Sequence, residues 1–169
     1  MNAPRILQPI KGDFVLEVAV AGSFRPWDQA GPDYWSFHGA GLLLFRDENT
    51  FIRLERATTR AGKSHVYCNY ELRSDRTARL TTVKAASDYQ LRDYVTTRLQ
   101  LRRVGDLITA AVAQENEPWR ELPPTVVALP DCVHVGVAAV TTATEAFAPV
   151  FSGLSLDGRT TSDRTKHST

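Results

Sequence analysis

Cysteine is scarce: Cys68 and Cys132 are the only two in 169 residues. There is no Cys-x-x-Cys and no histidine-rich cluster, which excludes a structural zinc site of the usual kind. The cysteines stand in the apolar runs Val66-Tyr67-Cys68 and Asp131-Cys132-Val133. Two buried free thiols is the plain reading, and a single disulfide is the alternative. Charge of one sign is also lacking. Lys plus Arg number 20 and Asp plus Glu 19, interspersed, for a net charge of +1. That leaves neither the basic excess nor the basic stripe of a nucleic-acid binder. No run approaches the roughly 18 to 20 apolar residues that span a membrane. The start, Met1-Asn2-Ala3-Pro4-Arg5, has no basic residue followed by an apolar stretch, so it does not read as a signal peptide. As written the chain is expected to be cytoplasmic, or else a module excised from a larger protein. Helix signals are nearly absent, and Ala85 to Arg92 is the single weak candidate.

What is present is alternation with a period of two. Phe14, Leu16, Val18 and Val20 share one face of a half-buried strand. A shorter piece, Arg5 to Leu7, precedes it and is expected to end at Pro9. Ala40 to Phe45 is apolar on both faces, as a central strand is. Phe51 to Arg56 alternates, with Ile52 and Leu54 against Arg53 and Glu55. Val66 to Arg73 alternates again, with Tyr67, Asn69 and Glu71 opposite Cys68, Tyr70 and Leu72. Further strands are predicted at Arg79 to Lys84, Tyr94 to Val104, Leu107 to Val112, Val126 to Leu129, Val133 to Ala139 and Phe147 to Leu156. Gly105-Asp106 between two of these runs predicts a tight hairpin. Short strands with turn signals near every ten residues indicate a sandwich or barrel in one domain, residues 1–156. Residues 157–169 contain no apolar residue and read as a disordered polar tail.

With these pieces in order, the chain from Gly12 to Leu156 resembles the concanavalin A-like jelly-roll modules of the "regulation of enolase" type and the C-terminal modules of β-xylosidases. The segments that carry the resemblance are Gly12-Asp13-Phe14, Gly39-Ala40-Gly41-Leu42-Leu43-Leu44, Asp47 to Glu55, Leu99-x-Leu101-Arg102-Arg103-x-Gly105-Asp106, Trp119, Val135-Gly136-Val137-Ala138-Ala139 and Phe151-x-x-Leu154-x-Leu156. One departure is Glu115-Asn116-Glu117-Pro118, where the family has Asp-Gly before the tryptophan turn. The resemblance implies an all-β, two-sheet antiparallel jelly-roll sandwich with one concave face. It also implies that the Glu-bearing strand lies in the groove, that the module is an accessory one, and that carbohydrate binding is its usual assignment.

The candidate ligand-binding residues are Arg53, Glu55, Tyr67, Asn69, Glu71, Arg98 and Gln100, with Tyr34 and Trp35 from an aromatic loop. Three alternating strands side by side would place the first seven on one polar face. Planar Arg and Asn donors beside carboxylate acceptors suit paired sugar hydroxyls. The competing reading is a solvated sheet face with cross-strand salt bridges. In the loop from Ser23 to Gly39, Tyr34 and Trp35 read as exposed stacking rings, whereas Trp27 and Phe37 read as a lid over the core. Trp119 reads as packing at a hairpin end. Catalysis is not expected. Glu55 and Glu71 could reach the roughly 5 to 10 Å separation of a glycosidase pair. The Glu-x-Asp-x-Glu strand of laminarinase-type glucanases is missing, however, and Arg53 is expected to hold Glu55 ionised. His38, His65, His134 and His167 lack a nucleophile motif beside them, and His134 reads as structural. No cofactor is expected. Asp28, Asp33, Asp47 and Asn49 offer oxygens for a structural calcium but lack dense Asp-x-Asp spacing. The expected partner is therefore a carbohydrate, or a protein docked on the aromatic loop or an unpaired edge strand.

Overall fold

A computed structural model describes residues 3–24, 36–60, 65–75, 80–84, 90–143 and 146–160. The elements are β1 (Arg5–Ala21), β2 (Ser36–Asp47), β3 (Thr50–Arg60), β4 (His65–Asp75), β5 (Leu80–Lys84), β6 (Gln90–Leu91), β7 (Thr97–Val104), β8 (Leu107–Gln114), β9 (Arg120–Glu121), β10 (Thr125–Val126), β11 (Cys132–Thr141) and β12 (Val150–Thr160). All pairings are antiparallel, and they run in the order β10-β8-β7-β1-β11-β2-β3-β4-β5, with β12 on β1, β6 on β4 and β9 on β8.

This continuous sheet curls into two layers because β1 belongs to both. Its first part, Arg5 to Lys11, pairs with β11, and its second, Phe14 to Val20, pairs with β7. The change falls at Gly12, whose φ of +69° suits glycine. Its backbone N–H donates to the Asp131 carbonyl at 3.0 Å. Against β12 the register skips from Lys11 to Phe14, so residues 12 and 13 form a bulge that bends the strand. The sequence reading ended the first piece at Pro9 and began another at Phe14. The structure makes one strand of both. Pro9 is tolerated because β12 pairs with β1 only from Ile10 onward, so no ladder there demands the missing N–H.

The inward residues of both layers make one core. Phe14, Leu16, Val18 and Val20 of β1 meet Leu42 and Leu44 of β2, Ile52 and Leu54 of β3, and Leu99 and Leu101 of β7, all buried. Cys68 is in this core, whereas Cys132 is exposed, and both are free thiols. The expectation of two buried thiols therefore holds for Cys68 alone. Cys132 opens β11 and lies outside the core layer. The hairpin at Gly105-Asp106 forms as expected. Val104 pairs with Leu107, and Gly105 takes a φ of +59°. Several boundaries differ: β7 begins at Thr97 rather than Tyr94, β10 covers only Thr125–Val126, and β12 begins at Val150 rather than Phe147. Gln90 and Leu91 form a strand rather than the end of a helix. β12 continues to Thr160, four residues into the segment read as a polar tail, because backbone pairing of Gly158 to Phe14 and Thr160 to Ile10 needs no apolar side chain.

Leu42→Ala should cost about 2–5 kcal/mol, since Leu42 is 1% exposed between the layers. A urea titration measures it, and a loss under about 1 kcal/mol would remove Leu42 from the core.

Candidate functional site

Strand alternation places the polar residues of β3 and β4 on the face turned away from the core. Ile52 and Leu54 point inward, so Arg53 and Glu55 point outward. The β3–β4 register then sets Arg53 opposite Glu71, Glu55 opposite Asn69 and Ala57 opposite Tyr67. Side-chain contacts follow from that register. Arg53 Nη2 donates to Glu71 Oε2 at 2.9 Å, and Asn69 Nδ2 donates to Glu55 Oε1 at 3.0 Å. Arg53 Nη1 lies 3.7 Å from Glu55 Oε1. One guanidinium thus sits between two carboxylates. The adjoining strand makes room for this. A Cβ on Gly39 would stand 2.7 Å from Glu55 Oε2 and 2.7 Å from the Phe37 ring.

This network is sunk into the face rather than standing in solvent. The side chains of Arg53, Glu55 and Glu71 are 15%, 3% and 12% exposed. Burial is the largest influence on the Glu55 carboxyl. It raises the carboxyl above its ordinary 4.5, against the opposing pull of Arg53 and the hydrogen bond from Asn69. Arg53 does pull Glu55 toward the ionised form, as expected, and burial outweighs that pull. The short charged bond of Arg53 goes to Glu71, and Glu55 is left with the longer contact. Burial, with Glu55 close by, also pushes the Tyr67 hydroxyl up to about 12.

Five of the nine residues proposed as ligand-binding therefore share one face: Arg53, Glu55, Tyr67, Asn69 and Glu71. Arg98 and Gln100 do not join them, which corrects the reading of three adjacent strands. β7 pairs with β1 and β8, in the other layer. Arg98 lies 4.6 Å over the Trp119 ring and donates to the Glu117 carbonyl at 2.8 Å. Gln100 Nε2 donates to Glu17 Oε1 at 2.6 Å. Alternation identifies a face but says nothing about which strands are neighbours. Tyr34, Trp35, Trp27, Asp28 and Asp33 lie outside the described residues. Phe37 and His38 belong to β2 rather than to a loop. His38 is buried and stacks on Phe147 at 4.4 Å. Asp47 Oδ1 accepts from the Asn49 backbone N–H at 2.9 Å, a turn contact between β2 and β3. Among the described residues no group of three His, Cys, Asp or Glu side chains is placed to hold a metal ion.

Sequence reasoning missed two features. Arg73 continues the series Tyr67, Asn69, Glu71 on the outer face and pairs with Phe51. That continuation was visible in the alternation. On the inner face Arg56 is 1% exposed. It donates to the Val95 carbonyl and to Thr97 Oγ1, and lies 4.8 Å over Phe24. A cation in an inward position has no sequence signal, because alternation there predicts an apolar residue. A separate cleft of about 170 Å³ lies between Leu91, Val112 and Gln114, rimmed by Arg92, Glu117 and Arg120. Exposed Arg92–Glu117 and Arg92–Glu115 contacts of 2.9 and 3.7 Å span its rim. It does not touch the Arg53 network.

No protein-family model and no curated protein sequence matches the chain. Solved structures do match in fold. A functionally unknown protein of Saccharomyces cerevisiae is 13% identical with a TM-score of 0.68, covering 94% of this chain and 76% of its own. The GH43 protein BlXynB of Bacillus licheniformis is 13% identical with a TM-score of 0.56, covering 86% of this chain and 27% of its own. An alginate lyase of Klebsiella pneumoniae is 9% identical with a TM-score of 0.52, covering 88% of this chain and 60% of its own. The fold is thus an antiparallel β-sandwich shared with these solved structures. The chain spans about a quarter of the length of the GH43 protein.

A raised Glu55 carboxyl has a signed effect on stability. The folded state holds the Glu55 proton above pH 4.5 where the unfolded chain releases it. Its stabilising effect is complete below pH 4.5 and is lost as pH rises through the raised value. Glu55→Gln should therefore gain stability relative to wild type as pH rises from 4.5. Paired guanidinium titrations across that range measure it. A difference that stays flat, or that turns against the variant, would show Glu55 ionised throughout.

Proposed function

We propose that this domain is a non-catalytic carbohydrate-binding module whose oligosaccharide lies along the outer face of the β2–β4 layer. The observation that carries the reading is the Arg53–Glu55–Asn69–Glu71 network beside Tyr67. It gives planar donors, carboxylate acceptors and a ring on one surface. Such sets bond the vicinal hydroxyls of a sugar. The strands beside it carry small residues at the matching positions. Glu55 pairs with Gly41, which pairs with Ala138, and Ala57 pairs with Gly39. The polar groups therefore border a low floor along which a chain of sugars would run.

The same geometry argues against glycosidase chemistry. A general acid must reach the glycosidic oxygen. Glu55 is 2% exposed and is bonded to Asn69, and Arg53 lies between it and Glu71. Glu55 orders the binding groups instead. The comparisons support a role beside polysaccharide chemistry, since two of the neighbours are named as a GH43 protein and an alginate lyase. The resemblance to accessory modules of the "regulation of enolase" and β-xylosidase type points the same way. A second reading, a protein-interaction domain, is favoured by β12, which pairs with β1 and carries Val150 and Leu154 at 58% and 47% exposed.

A glycan array of neutral and acidic oligosaccharides tests the reading. Binding should be confined to related glycans, and Glu71→Gln should weaken it about tenfold or more while the fold persists by circular dichroism. A folded wild-type protein that binds nothing would end the groove reading. Self-association through β12, measured by sedimentation, would then support the second.

A further inference from the structure

Among the described side chains of that face, the network on β3 and β4 leaves the charge of Arg73 unused. Arg73 stands two residues beyond Glu71 on the same face and pairs with Phe51. Its guanidinium carbon lies 5.7 Å from the centre of the Phe51 ring, and that of Arg53 lies 5.9 Å from the same centre. The two guanidiniums share a ring but not their company. Arg53 is bridged by Glu71 and Glu55. Arg73, among the described residues, has no ion pair, and its buried Nε has no hydrogen-bond partner. Phe45 lies opposite Phe51 across β2 and β3 and is capped by Arg5 at 4.5 Å, but Arg5 is bonded to Glu48 at 3.2 Å.

We propose that Arg73 is the receptor for an acidic substituent, a uronic-acid carboxylate, on an oligosaccharide bound along this face. The inference rests on the carbohydrate reading above and adds its substrate class. A guanidinium laid on an aromatic ring is held in one orientation and partly stripped of water. Its planar fork matches a carboxylate with two parallel hydrogen bonds, which an ammonium does not reproduce. Arg53 is bonded to Glu71 and lies beside Glu55, whereas Arg73 has no ion pair among the described residues, so its charge is open to a ligand. A neutral sugar would leave that charge unmet. An acidic one would meet it next to the groups that take its hydroxyls.

The experiment is isothermal titration of the full chain with short oligogalacturonate and oligomannuronate, each in its free-acid and fully methyl-esterified form. Xylotetraose serves as an uncharged sugar. Esterification keeps the sugar skeleton and removes the charge. At least one acid form should bind about tenfold or more tighter than its ester. Arg73→Gln should remove that advantage while leaving the ester's affinity unchanged. Arg73→Lys, which keeps the charge and loses the fork, should fall between them. Should Arg73→Gln fail to fold, the lysine variant and the acid-to-ester ratio carry the test. Equal binding of acid and ester, or an acid preference that survives Arg73→Gln, would overturn the assignment and leave the groove reading standing. Binding of xylotetraose with no binding of either uronate would do the same. Absence of binding to every saccharide, including the array above, would remove the groove reading and this inference with it.

Discussion

The register between β3 and β4 is the constraint on which the candidate site depends. Arg53, Glu55, Asn69 and Glu71 meet only because residue 53 pairs with 71 and residue 55 with 69. That register is held from the opposite face. Ile52, Leu54, Cys68, Tyr70 and Leu72 are buried in the core between the layers. A slip of one residue would turn those side chains outward and send a guanidinium and two carboxylates inward. The apolar side of the two strands therefore positions the polar side. The site needs no separate device to align it, and the cost of misalignment is the cost of the core.

Within that frame the charges are arranged around water removal. Two carboxylates brought close to each other and out of solvent repel, and each loses hydration. Arg53 resolves this for Glu71 through a direct bond. Glu55, set deeper and reached by Arg53 at 3.7 Å, takes its direct hydrogen bond from Asn69. The outcome is an asymmetric pair: one carboxylate tied to a cation, the other shifted toward its neutral form. Gly39 contributes by omission, since a methyl group there would occupy the position of the Glu55 carboxylate and the Phe37 ring. Polar and small residues on neighbouring strands thus form one arrangement, although they are separated in sequence.

Much of the fold was legible because alternation is a local property. Phe14 to Val20, Phe51 to Arg56 and Val66 to Arg73 show their inward and outward sets in the order of their residues. The hairpin at Gly105-Asp106 is likewise written in two adjacent positions. The order of strands is not local, and there the reading went wrong. Arg98 and Gln100 alternate as clearly as Arg53 and Glu55, yet β7 joins β1 and β8, so they stand on the other layer. Their partners, Trp119 with Glu117 and Glu17, come from turns and strands that no short-range pattern links to them. Pro9 misled for a related reason. The β11 ladder runs straight through it, and the β12 ladder on the other side begins only at Ile10.

Three arginines on these strands show how surroundings, rather than residue type, set the role of a charge. Arg56 points inward and is nearly inaccessible, and burial lowers its pKa, with Asp93 opposing. Its hydrogen bonds go to a backbone carbonyl and a threonine hydroxyl, and a phenyl ring covers its face. It is a structural cation, held by neutral oxygens and a π system with the charge of Asp93 assisting. Arg53 points outward and has carboxylates on both sides, so its charge is spent within the fold. Arg73 has the ring without the carboxylates. A guanidinium shielded like Arg56 has no room for a ligand, and one bridged like Arg53 has little charge to offer it. The position that combines access, orientation and unspent charge is the third, and it lies at the end of the row that Tyr67, Asn69 and Glu71 begin.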